Sequence, residues 1–334
     1  MHYEAPPTDD RPLWDIWLSV HRLQVLTTAY EVGIFDTLAA GPCTAEQLAE
    51  QRGFELRGTR AVLAMLAALE LVRVSATGYE LTTVARTYLV STSAFDWGPL
   101  LRSRIAIIPE LHRDLVQVLT ATREMPAAAQ GWADGEMPPE LAARVTRIMH
   151  CHSLAAAITL APKLAGVKRM LDVGGGSGVF SIAAAQRNTE LHATVMDLAA
   201  VCDLARQYID DGGVTGRVTA QAVDMFRGVW PTHYDAVLFS NVFHDWGTET
   251  NTQLARSAFG ALSSGGSILL HEMLLDENGG PATTAGFSIR MVTSNEGRQY
   301  TLAELRDILE SAGFRDVRAT SAHLYYSLVT ATKP

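Results

Sequence analysis

Apolar residues recur at three- and four-residue steps along the first third of the chain. Over residues 15–32, Trp17, Leu18, Val20, Leu23, Leu26 and Tyr30 keep that spacing, which predicts an amphipathic helix. In CTAEQLAEQRG, Thr44 and Gln47 have the spacing of a capping box, and Gly53 supplies a stop. A further helical run, RGTRAVLAMLAALELVRV, is followed by RVSATGYELT, which reads as a short hairpin turning at Thr77 and Gly78. Helix, helix and hairpin in that order form a winged-helix-like pattern. Its recognition-helix position, residues 60–71, is mostly Ala, Leu, Val and Met, whereas a helix laid on phosphates presents lysines and arginines. The region is therefore expected to be a dimerisation module, with no nucleic-acid partner.

Residues 95–165 predict several more helices, with a surface loop at 126–139, where three prolines and two glycines fall. Beyond Lys168 the pattern becomes alternating strand and helix. The expected strands are RMLDV, LHATVMD, RVTAQAV, YDAVLFS, SILLHEML, FRDVRAT and YYSLVTATK. Helices between most of them indicate an α/β fold with a doubly wound, Rossmann-like parallel sheet. The last two strands flank only a short turn and should form a C-terminal antiparallel hairpin. Three regions result: 1–100 for dimerisation, 101–165 as a helical linker and substrate-pocket region, and 166–334 as the catalytic domain.

Composition narrows the class. The chain has 334 residues, 48% hydrophobic and 19% charged, with a formal net charge of −9, which disfavours a general nucleic-acid binder. Cys43, Cys151 and Cys202 are too dispersed for a disulfide framework or a metal-ligand spacing. The N-terminal stretch lacks the pattern of a secretory signal, and no apolar run reaches membrane-spanning length, so a cytoplasmic protein without a membrane partner is expected.

The chemistry centres on LDVGGGSGVF, residues 171–180. Gly174, Gly176 and Gly178 follow one strand and open a helix, as a turn needs where backbone approaches a ligand. A dinucleotide fingerprint would place its third glycine where Val179 stands. Asp172, just before the turn, would repel a pyrophosphate and suits a cationic ligand such as S-adenosyl-L-methionine. Asp197 ends the next strand, where a carboxylate reaches ribose hydroxyls, and Leu198 follows it. Asp224 follows the third strand, with Met225 and Phe226 placed to sandwich an adenine ring. Any one of these acids would pass as a helix cap; three at successive strand ends favour a cofactor site.

Taken in order, LDVGGGSG, VMDL, AVDMF, NVFHDW, SSGGSILLHEML and ESAGF resemble the S-adenosylmethionine-dependent O-methyltransferases of the plant caffeate and acetylserotonin type, with bacterial natural-product relatives. The resemblance covers nearly the whole chain. It implies a homodimer formed through the N-terminal domain, a small-molecule substrate, and cofactor contacts from Gly174, Gly176, Asp197, Asp224 and Met225, with Ser240 standing where plant members carry a lysine. His244 matches the family's general base and Glu272 the glutamate that orients it. Gln299 and Tyr300 in GRQYT replace a Glu-Arg pair, so no plant substrate carries over. The pocket is expected to draw on residues 95–165 and 287–295, with Met149, Phe243, Asp245, Met291 and Asn295 as substrate residues and Arg104 as a further lining candidate. The favoured reading has no metal. The alternative, by analogy with C-methylation of 2-oxo acids (N-methylation on this scaffold being a further variant), places iron or zinc on His244, Asp245 and Glu296.

Overall fold

A computed structural model describes residues 11–54, 56–105, 130–131, 134–135, 137–277 and 281–334. The chain divides into two compact units, Met1–Pro109 and Glu110–Pro334. Most of the expected 126–139 loop, and the Arg104 side chain, lie outside the described residues.

In the first unit, α1 (Arg11–Glu31), α2 (Ile34–Ala40), α3 (Ala45–Arg52) and α4 (Leu56–Ala68) precede a hairpin of β1 (Val72–Ser75) and β2 (Gly78–Leu81), then α5 (Thr83–Tyr88) and α6 (Gly98–Ile105). The capping box forms: the Thr44 hydroxyl accepts from the Gln47 N–H at 3.2 Å, and the Gln47 side chain accepts from the Thr44 N–H at 2.9 Å. Gly53 ends α3 at φ 66°. The hairpin turns one residue earlier than the sequence suggests, at Ala76 and Thr77, because Gly78 already pairs with Ser75. Gly78 is needed for a different reason. At φ 123° it lies so close to the Cys43 backbone that a Cβ would collide with it. Phe35, Leu38, Leu48, Leu63 and Leu66 form this unit's core. The apolar face of α1 stays partly uncovered within the chain: Ile16, Val20 and Leu23 are exposed.

The second unit holds a seven-stranded sheet of β3 (Arg169–Val173), β4 (His192–Asp197), β5 (Val218–Ala222), β6 (Tyr234–Ser240), β7 (Leu262–Met273), β8 (Arg315–His323) and β9 (Tyr326–Thr332). Their order is β5-β4-β3-β6-β7-β9-β8. The first five are parallel, and β9 inserts antiparallel between β7 and β8, so the C-terminal hairpin expected from the sequence is present. Helices α7 (Pro139–Leu160), α8 (Val179–Arg187), α9 (Ala199–Asp211), α10 (Thr248–Ala261), α11 (Ala282–Ser294) and α12 (Leu302–Ser311) complete the unit. Strand β7 begins at Leu262 rather than Ser267: Leu262 pairs with Tyr234, and the register then jumps to Ala236–Ser267, with the SSGG stretch bulged between the two pairs. The two larger apolar clusters of this unit lie around Phe239, Leu270 and Leu309 and around Met170, Ala184 and Leu238.

The strand order reverses between β3 and β6. Ligands in open α/β sheets bind at such a switch point, beyond the carboxyl ends of the strands. The glycine turn leaves β3 there and the HDW turn leaves β6 beside it. No helix among the described residues is long and apolar enough to cross a membrane.

Candidate active site

The glycine turn is held from below. Gly174 and Gly176 take φ values of 63° and 57°, and a Cβ added at Gly176 would meet nothing within 4 Å, so its open side is free for a ligand. Gly175 lies directly over Asp172: a Cβ there would stand 2.8 Å from the Asp172 carboxyl carbon. Asp172 therefore sits beneath the turn. One of its carboxylate oxygens accepts from Ser181 Oγ at 2.7 Å, and the other is buried without a hydrogen-bond partner. Asp197 accepts from the Gly176 N–H at 2.9 Å and from the Leu198 N–H at 2.7 Å. Burial pushes both acids up to about 6, and for Asp172 the neighbouring Asp197 charge adds to it.

Beside Asp197 opens a cavity of about 490 Å³, lined by Leu198, Ala199 and Ala200 at the start of α9 and by Gly135, Met137 and Pro138 opposite. Gly135 approaches the Asp224 carboxylate so closely that a Cβ would stand 2.6 Å from Oδ2. Asp224 accepts from the Phe226 N–H at 2.8 Å and pairs with Arg227 at 3.0 Å. Phe226 packs edge-on against Trp246 with centroids 4.7 Å apart, while Met225 is half-buried against the core. A cradle of positive-φ glycines, a buried acid and an adjoining apolar cavity fits an adenosyl group with an attached amino acid.

One contact at this turn has no signal in the sequence. His150, on α7, bonds Ser177 Oγ of the glycine turn at 2.9 Å and stacks on Tyr208 at 4.2 Å. His152, two residues on, faces elsewhere, toward Phe287 and Tyr326. The helical twist separates the two rings, as their spacing implies.

The second half of the site is the 3₁₀ turn Phe243–Asp245 after β6. Glu272, near the end of β7, organises it. One carboxylate oxygen accepts from the Val242 and Phe243 N–H groups at 3.0 and 2.9 Å, and the other lies 2.7 Å from His244 Nδ1. Because the carboxylate can only accept, Nδ1 carries the hydrogen and Nε2 is left as the basic nitrogen. The backbone of the turn is clamped as well. Asn251 donates to the Phe243 and Trp246 carbonyls, Tyr300 donates to the Trp246 carbonyl at 2.6 Å, and the Gly297 N–H donates to the Asp245 carbonyl at 3.0 Å. A Cβ on Gly297 would run into the 244–246 backbone.

Burial works against a charged His244, but the Glu272 and Asp245 carboxylates outweigh it and raise the imidazole to about 8. Asp245 is also raised, to about 6, by burial first and by Glu272. It accepts from the Asn295 amide, and its Oδ1 stands 3.6 Å from His244 Nε2. The Phe287 ring meets the imidazole edge-on at 5.6 Å.

Several expected residues fall in other places. Phe243 is fully buried and packs on Phe239 at 5.0 Å, so it belongs to the core and not to the substrate pocket. Ser240 bonds His271 Nδ1 at 3.0 Å, and burial, followed by His323 and His152, holds that histidine neutral with a value near 3. Met291 is buried beside Asn295, and Met149 is half-buried on α7. The alternative metal set is not assembled. Glu296 is exposed, Glu272 occupies Nδ1 of His244, Asn295 engages Asp245, and no metal-holding group of three His, Cys, Asp or Glu exists among the described residues. Gln299, in place of the family glutamate, is fully buried with neither amide atom partnered.

Comparison with known proteins agrees with this architecture. Residues 132–315 match the model of an O-methyltransferase domain, and residues 14–91 that of an O-methyltransferase dimerisation domain. The 3-hydroxy-5-methyl-1-naphthoate 3-O-methyltransferase of Streptomyces sahachiroi is 33% identical over 94% of this chain and 92% of its own. Among solved structures, human N-acetylserotonin methyltransferase in complex with SAM has the same fold, with a TM-score of 0.82 at 24% identity over 99% of both chains. The S-adenosylmethionine-dependent methyltransferase SibL superposes with a TM-score of 0.77 at 26% identity, over 98% of this chain and 100% of its own.

Proposed function

The chain belongs to the O-methyltransferase family, and on that footing we propose that it moves the methyl group of S-adenosyl-L-methionine onto a hydroxyl of a small aromatic metabolite, with His244 as general base. The observation that carries the reading is the buried His244–Glu272 pair at the sheet's switch point, next to the glycine cradle. The aromatic acceptor is supported by the Streptomyces relative, which is named for a hydroxynaphthoate.

S-adenosyl-L-methionine supplies a methyl group already activated on a sulfonium. What remains for the chain is binding, alignment and one proton. Gly174 and Gly176 would admit the amino-acid part, Asp197 the ribose hydroxyls, and Leu198, Asp224, Met225 and Phe226 the adenine, with Asp172 supporting the turn and Ser240 near the strand end. His244 Nε2 takes the acceptor's hydroxyl proton. Glu272, fixed by two backbone N–H groups, keeps the proton on Nδ1 and stabilises the imidazolium that forms. Met291 and Asn295 border the acceptor, and Asp245 lies within reach of Nε2.

The exposed face of α1 supports a homodimer built through the N-terminal unit. Regions 1–100, 101–165 and 166–334 would serve dimerisation, pocket building and cofactor chemistry in turn, in a cytoplasmic enzyme of secondary metabolism.

The test is His244→Ala. Methyl transfer from labelled cofactor to a phenolic acceptor should fall by about 100-fold or more, the scale of general-base catalysis. Calorimetry should find cofactor affinity within about twofold of the native protein, because none of the proposed cofactor contacts is touched. Unimpaired turnover in that variant would refute the general base.

A further inference from the structure

Asn241 stands between the last residue of β6 and the turn that carries His244, and its backbone is left-handed at φ 57°. The two residues after it, Val242 and Phe243, give their N–H groups to Glu272. The chain therefore changes direction at Asn241 as it passes from the sheet to the base. Asparagine tolerates this backbone better than most side chains do, but the conformation still costs free energy and needs surroundings that enforce it.

Those surroundings are specific. The Asn241 N–H donates to the His271 carbonyl at 3.2 Å, its side-chain carbonyl accepts from the Tyr326 hydroxyl at 2.9 Å, and its amide nitrogen stands 3.5 Å from Ser240 Oγ. Tyr326, at the start of β9, has its own support. Its ring lies flat on His271, with centroids 4.5 Å apart and 6° between the planes, and His271 is pinned by Ser240. Burial first, and the Glu272 charge second, push the phenol up, so it stays protonated and donates. Asn241 and Tyr326 are both buried, so water is poorly placed to replace their bond. The ring alone would fill this space; the hydroxyl is what reaches Asn241. Tyr326 also pairs with Met273, the neighbour of Glu272, so the strands that hold the two parts of the base turn are paired with each other.

We propose that Tyr326 is a positioning residue for the base: by holding the Asn241 side chain it fixes the left-handed exit from β6, and through that exit the direction in which His244 presents Nε2. This rests on the general-base reading of His244. Glu272 sets the tautomer of the imidazole, and the Tyr326–Asn241 bond sets where the turn begins. A base displaced by loss of that bond keeps its proton on Nδ1 but meets the acceptor hydroxyl at the wrong distance and angle, so the loss falls on kcat and not on cofactor affinity.

The experiment measures kcat and KM on the full chain with labelled S-adenosyl-L-methionine and a phenolic acceptor. Tyr326→Phe removes the hydroxyl and leaves a ring to stack on His271. Asn241→Gly keeps the left-handed backbone accessible and removes the side chain that the phenol holds. Each should lower kcat by about 3- to 10-fold, the worth of one buried hydrogen bond, with the KM for the cofactor within about twofold of native. The double variant should be no slower than the slower single one, because both changes break the same bond. Placed on H244A, Y326F should add less than about twofold, since no base is left to aim. Asn241→Gly leaves every core side chain in place and carries the same kcat prediction by itself if Y326F does not fold. Losses that multiply in the double variant overturn the proposal, and so do variants whose thermal midpoint falls while kcat stays native. A Y326F loss that persists in full on H244A also overturns it and leaves the general base standing. Native turnover in H244A removes the general base and this proposal with it.

Discussion

His244, the proposed base, holds its proton with an affinity set by two carboxylates against the cost of burial. Since it must be neutral to accept a proton, kcat/KM for a neutral phenol should rise with pH and level off above about 8. In Glu272→Gln the strongest of the raising charges is gone, so the midpoint of that rise should fall by about a unit or more, and the rate should drop by about 10- to 100-fold as the imidazolium loses its support. A pH–rate profile checks this; a midpoint still near 8 in E272Q would contradict the coupling. The same pair leaves a mark on stability. The folded pKa lies above the unfolded value of about 6.5, so the stabilisation is complete below pH 6.5 and is lost as pH rises through about 8. Both residues of the pair were legible, because HDW and LLHEML carry recognisable motifs. Phe243 was not, because adjacency to the base in sequence says nothing about which way a 3₁₀ turn aims its side chain.

Helix α7 shows how an element acts on a site whose motif it does not contain. His150 reaches Ser177 in the middle of the glycine turn and is braced by Tyr208. Removing one such hydrogen bond by His150→Ala should weaken cofactor binding by about 3- to 10-fold, and His150→Asn, which can restore a hydrogen bond to Ser177, should recover part of it. Calorimetry at constant pH reads both; equal affinities in all three proteins would show that the contact does not position the turn. The strands of the sheet were readable from their apolar runs and bounding turns, and so was the antiparallel closure by the last two. The hairpin turn was displaced by one residue, since Gly78 was needed for its approach to Cys43 and not for the turn itself. Residues 287–295 were expected beside the pocket, and packing decided that Phe287 meets the His244 ring.

At the scale of the whole molecule, α1 presents Ile16, Val20 and Leu23 to solvent in a single chain, on a helix that lies mostly within the matched dimerisation domain. Such an apolar stripe asks for a covering surface. Leu23→Glu combined with Val20→Glu should convert a dimer to a monomer in light scattering, because burying two carboxylates without partners costs more than the interface gains at those positions. A double variant that stays dimeric would place the interface elsewhere.

The sequence by itself determined the strand–turn–acid pattern of the glycine turn and the doubly wound fold, because each rests on local periodicity or on a motif a few residues long, while the family resemblance pointed to His244 and Glu272. Tertiary structure decided what those motifs touch. The strand order β5-β4-β3-β6-β7-β9-β8 brings Asp197, Gly174, His244 and Glu272 to one edge from well-separated stretches of chain. It also placed Asp172 beneath the turn and left Glu296 exposed. Such relations depend on which faces of distant elements meet, and no spacing along the chain encodes them.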